Sequence, residues 1–111
     1  MNEREGCALL KERFTAAGLS IEEHVRFAEE GLDVTLDGFD PSQRIGYEYV
    51  TTEAGDREAI TPEVVAALEA RMLRGEMFVL LVDERDVPDP TALRFAADGF
   101  LEILRQRGKI A

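Results

Sequence analysis

The sequence predicts an α+β domain, a mixed four-stranded sheet packed with three helices in the order α-β-β-β-α-β-α. Three observations predict it. Apolar residues recur at spacings of three and four near both ends of the chain. They alternate with polar residues between Leu32 and Tyr49, and Met77-Phe-Val-Leu-Leu-Val82 forms one continuous apolar run of strand length. No internal repeat, low-complexity tract or linker interrupts the 111 residues, which read as a single domain spanning 1–111.

The first helix is predicted over Glu3 to Ala17, with Cys7, Leu10, Phe14 and Ala17 on its apolar face and Gly18 as its stop. Ser20-Ile-Glu-Glu23 matches a capping box and favours a short helical turn at 20–23. A strand follows, because Val25 and Phe27 alternate with His24, Arg26 and Ala28, and Glu29-Glu30-Gly31 then offers a hairpin loop. Leu32, Val34 and Leu36 alternate with Asp33, Thr35 and Asp37 in the next strand. Gly38 to Gln43 reads as a turn by composition, with Asp40 able to bond the backbone beyond it. The third strand, Arg44 to Thr51, carries Ile45, Tyr47 and Tyr49 on one face and Gly46, Glu48 and Val50 on the other. Thr52 to Glu58 reads as a polar loop.

Thr61-Pro62 opens the second helix as cap and first helical residue, with Ile60 placed to staple against Val65. Val64, Val65, Leu68 and Met72 form its stripe, and Arg71, Arg74 and Gly75 end it. The apolar run 77–82 is expected to be the central strand, internal to the sheet and covered on both faces. Thr91 to Arg107 places Leu93, Ala96, Ala97, Phe100 and Leu104 on one face of a third helix that ends at Gly108.

Acidic residues outnumber basic ones 23 to 13, for a net charge of −10. That charge repels phosphate backbones and anionic membranes, so nucleic acid is an unlikely partner. Arg71, Arg74, Arg105, Arg107 and Lys109 are the basic clusters, and each sits where cations complement a helix C-terminus. Cys7 is the single cysteine, which excludes a disulfide within the chain and paired-thiolate zinc; it is expected to be a small buried hydrophobe. His24 is the single histidine. No apolar run has membrane-spanning length and the N-terminus is polar, so the expectation is a cytoplasmic protein without membrane contact.

Hairpin parity predicts that Leu32, Val34 and Leu36 share the core face with Ile45, Tyr47 and Tyr49, leaving Asp33, Thr35, Asp37 and Glu48 together on the other. Opposed like charges need relief, and either Arg44 or a divalent ion with oxygen ligands supplies it. Asp37 and Glu48, in Val-Thr-Leu-Asp37 and Gly-Tyr-Glu48-Tyr-Val50, are therefore the candidate metal ligands. Asp83, Glu84 and Asp86 read as the solvated end of a buried strand.

The element order and these two acidic positions resemble the core of the PD-(D/E)XK, restriction-endonuclease-like, nucleases. The resemblance covers most of residues 3–83 by topology. It implies Mg2+ or Mn2+ on Asp37 and Glu48, with Glu12 of the first helix as a third ligand. In that family a lysine two positions beyond the second acid assists the attacking water, and here that position is Val50. A displaced base would have to come from Lys11, Arg26 or Arg44.

The leading expectation is thus a small acidic protein of the interaction or regulatory type, without enzymatic activity or cofactor, acting on a protein partner or by self-association. The alternative is a divalent-metal-dependent nuclease using Asp37 and Glu48. A further alternative is a DNA-mimicking inhibitor, which would use the negative charge itself.

Overall fold

The structure, a computed structural model, describes residues 1–29 and 31–111; Glu30 of the expected hairpin loop lies outside the described residues. The elements are α1 (Glu3–Ala16), β1 (Glu22–Glu29), β2 (Leu32–Asp40), β3 (Ile45–Val50), α2 (Asp56–Ala59), α3 (Pro62–Leu73), β4 (Phe78–Asp83) and α4 (Pro90–Gln106). The α+β class and the order of the long elements are as the sequence predicts. The one-turn helix α2 is additional, in a segment expected to be loop.

Capping chemistry sets the helix starts. Asn2 accepts from the Glu5 amide while the Glu5 side chain accepts from the Asn2 amide, closing a capping box on α1. Thr61 and Asp89 cap α3 and α4, each followed by proline at the first helical position. The Ser20 motif is not a cap. Its amide donates instead to Asp40 Oδ2 at 2.8 Å, twenty residues away, and the chain enters β1 without the expected helical turn. A tertiary acceptor outcompetes the local one.

The sheet runs β1-β2-β3-β4, antiparallel across the first two junctions and parallel between β3 and β4. The last strand is therefore at an edge, which corrects the internal placement. The meander occupies one side of β3, so the crossover through α3 can only set β4 on the free side. Both faces of β4 are nonetheless covered: Phe78 and Val82 pack toward α1 and α4, and Val79 packs toward α3. That two-sided burial accounts for the unbroken apolar run.

Helices on both faces make three layers. Between α1, α4 and the sheet lie Leu10, Phe14, Tyr47, Leu93, Ala97 and Leu104, all at most 1% exposed. Between α3 and the sheet lie Phe27, Leu32, Val34, Leu36, Phe39 and Leu68. The expected face-sharing of the β2 and β3 apolar sets is thus overturned, since Leu32, Val34 and Leu36 face α3 while Ile45, Tyr47 and Tyr49 face α1 and α4. The physical reason lies within β2. Leu36 and Phe39 are three residues apart yet share a face, so strand alternation breaks between them. β2 also continues through Gly38-Phe39-Asp40, expected to be turn, because Phe39 is 2% exposed and pairs with Glu22.

Candidate carboxylate site

The break in β2 forks the sheet. Backbone pairing between β2 and β3 covers only Gly38–Tyr47, Phe39–Gly46 and Asp40–Ile45. Beyond it, side chains replace the rungs: the Asp37 amide donates to Glu48 Oε1 at 3.1 Å, and the Tyr49 amide donates to Asp37 Oδ2 at 2.8 Å. On the other side of β2, pairing with β1 skips the His24–Asp37 position and resumes at Val25–Leu36. His24 there takes φ 52°, the left-handed region, which costs a non-glycine residue about 1–2 kcal/mol. Gly38 permits the close packing at the base of the fork, because a Cβ there would lie 2.2 Å from Tyr47 Cζ.

Asp37 and Glu48 are 7% and 3% exposed, and Asp56 at the start of α2 joins them. One ligand oxygen from each of the three lies within 4.8 Å of the others. Glu3 and Cys7, one helical turn apart on α1, converge on Asp37 within the same limit. The Asp56 carboxylate is oriented by the Thr51 amide, which donates to its Oδ2 at 3.0 Å. Each of Asp37, Glu48 and Asp56 thus commits one oxygen to a backbone N–H. A cleft of ≈ 540 Å3 reaches this group, lined by Glu3, His24, Asp37, Glu48 and Asp56 among others.

No Lys or Arg forms an ion pair with Asp37, Glu48, Asp56 or Glu3 among the described residues. The electrostatics follow. Burial, then the hydrogen bond and charge of Asp37, push the Glu48 carboxyl up to about 10, so it holds a proton at neutral pH. Burial likewise raises Asp56 and Glu3, with Asp37 adding to both. Burial and then Asp37 push the half-buried Cys7 thiol far up, which keeps it from acting as a thiolate nucleophile. Cys7 is half-buried and packs against the core from α1, rather than being fully buried within it.

Asp37 and Glu48 meet, as their candidate role requires, but through the fork rather than through a shared face of a regular hairpin. Arg44 does not relieve them. It sits at the far turn with φ 58°, pairs with Glu29 at 2.9 Å and donates to the Glu76 carbonyl. Glu12 lies more than two turns along α1 from Glu3, pairs with Arg13 at 3.6 Å, and belongs to neither carboxylate group. Lys11 pairs with Glu23 at 3.2 Å and Arg26 with Asp33 at 2.7 Å. Lys109, the other lysine, lies 5.6 Å over the Phe78 ring.

Asp83 and Glu84 are held by Arg57, which fastens α2 to the end of β4, and Glu84 also accepts from the Thr52 amide at 3.0 Å. Sequence reasoning missed Glu3, His24 and Asp56 as members of the site. Glu3 and Cys7 at helical spacing were the one readable signal; Asp56 and His24 arrive through the chain's path alone. No family model, curated protein or solved structure matches the chain.

Proposed function

We propose that this chain is a divalent-cation-binding protein that holds Mg2+ or Mn2+ between β2 and β3 and works through association rather than turnover. One observation carries the reading: Asp37, Glu48 and Asp56 converge within 4.8 Å, buried or half-buried, with no cationic side chain paired to them among the described residues. An all-oxygen donor set suits a hard cation. The backbone N–H donors on Asp37 and Asp56 would act as outer-shell support, fixing the carboxylates before an ion arrives. Val50, 7% exposed, cannot assist a nucleophile, and both lysines are engaged elsewhere, Lys11 with Glu23 and Lys109 over Phe78, which favours binding over hydrolysis. Calorimetric titration with Mn2+ and Mg2+ tests it. Saturable binding to the wild type that Glu48→Gln and Asp56→Asn each weaken at least about tenfold supports the reading, and no heat for either ion removes it.

A second reading, metal-dependent phosphodiester hydrolysis, is favoured by His24. Its imidazole lines the same cleft as the carboxylates from a strained backbone position, and strain of this kind clusters at functional sites. An imidazole is a competent proton acceptor where a lysine is lacking. Mn2+-dependent cleavage of DNA or RNA that disappears in both His24→Ala and Glu48→Gln would support it. Absence of cleavage in a preparation that binds Mn2+ leaves cation binding without turnover.

A further inference from the structure

We infer that α4 carries a self-association surface, on which a second copy of this chain docks antiparallel across Gly99. The helix buries Leu93, Ala97, Leu101 and Leu104 against the sheet, and its exposed side sets Phe95 and Ile103 beside the charged residues Arg94, Glu102 and Arg105. Phe95 is 82% exposed and Ile103 52%, and Leu73 at the end of α3, 89% exposed, shares a shallow groove with Ile103. Phe95, Gly99 and Ile103 are spaced by four, which lines them up along one side of the helix.

Gly99 is the informative member. A glycine inside an exposed helix is unfavourable relative to alanine. A Cβ built at Gly99 would meet nothing within 4 Å, so no contact inside the chain calls for its absence. Close approach from outside does. The order large-small-large is self-complementary: when two antiparallel helices cross at Gly99, Phe95 of one copy stands level with Ile103 of the other, and the reverse.

Charge selects a second copy over a basic partner. Residues 90–111 carry Arg94, Arg105, Arg107 and Lys109 against Asp98 and Glu102, whereas the whole chain stands at −10. A basic protein would be drawn to the acidic remainder. Two copies meeting through the acidic strands β1 and β2 would bring negative surfaces together, a repulsion that the balanced charge of α4 avoids.

The test is sedimentation velocity on the full chain from about 10 µM to about 500 µM, with EDTA present so that cation binding plays no part. The weight-average mass is expected to rise from 12.4 kDa toward twice that value. Added salt should strengthen the association by screening two acidic copies. Gly99→Leu and Phe95→Glu should each weaken it at least about tenfold. Gly99→Ala should also weaken it while raising the thermal midpoint of the dilute protein, which separates loss of contact from loss of fold. A mass fixed at 12.4 kDa across the range, association that salt weakens, or a dimer indifferent to both Gly99→Leu and Phe95→Glu would each overturn the inference.

Discussion

Replacing Glu48 by glutamine should flatten the pH dependence of stability above pH 6. In the folded chain Glu48 keeps its proton up to about 10, against an ordinary value of 4.5 for the unfolded chain. Between those limits the native state binds one proton more than the unfolded state, so unfolding becomes easier as pH rises. The contribution is fully present below 4.5 and is lost as pH climbs toward about 10. One proton corresponds to at most about 1.4 kcal/mol per pH unit, so the wild type should lose about 3 kcal/mol between pH 6 and pH 8. The substituted glutamine would keep the acceptor for the Asp37 amide and resemble the protonated acid, without a proton to lose. The lowered carboxylates Asp33, Asp40, Asp83, Glu76 and Glu84 titrate below this window and leave it undisturbed. The assay is urea unfolding at pH 6, 7 and 8 with EDTA, followed by far-UV circular dichroism, since the chain has no tryptophan. Equal slopes in wild type and Glu48→Gln would refute the protonated pair.

Three further outcomes follow from the same geometry. Gly38→Ala should cost about 2–3 kcal/mol in urea titrations, because the new methyl falls 2.2 Å from Tyr47 Cζ in a packed layer. His24→Gly should stabilise the fold by up to about 1 kcal/mol in the same assay by relieving the left-handed φ of 52°, even as it removes a cleft residue. Asp40→Ala should cost about 3 kcal/mol, since the carboxylate accepts from the amides of Ser20, Ser42 and Gln43 at 2.8–3.0 Å. Burial opposes ionisation of Asp40, but those donors outweigh it and hold the group below its ordinary 3.8, so this stabilisation should fade as acid titration passes through the lowered value.

Legibility in the sequence tracked the range of the interaction responsible. Thr61-Pro62 and the apolar runs of α4 and β4 act within a few residues, and each appears where it was expected. Ser20 misled because its amide answers to Asp40, an acceptor that exists only after β2 has been laid beside β1. The position of β4 at the edge is a property of strand order, on which its two-sided apolar pattern is silent. For the site, Asp37 and Glu48 were singled out by a hairpin parity that the structure overturns; they meet because the break in β2 opens a fork beside β3. Asp56 was not singled out, since nothing in a polar loop foretells which carboxylate turns inward. Glu12 is the expected first-helix ligand and Glu3 the one at the site, because which end of α1 lies over the fork is settled by tertiary packing such as that of Gly6 on the Tyr49 ring.

The fork has one more consequence, for observation rather than for binding. In an ordinary ladder the amide of a residue such as Tyr49 is held by a neighbouring carbonyl, whose acceptor strength hardly responds to conditions. Here the acceptor is the Asp37 carboxyl, and the Asp37 amide is held in turn by Glu48. Whatever changes the charge on that pair, a proton or an ion, changes the grip on two backbone hydrogens in the middle of the sheet. The hydrogen-exchange rates of the Asp37 and Tyr49 amides are therefore an intrinsic gauge of the site, readable residue by residue without any label or substitution.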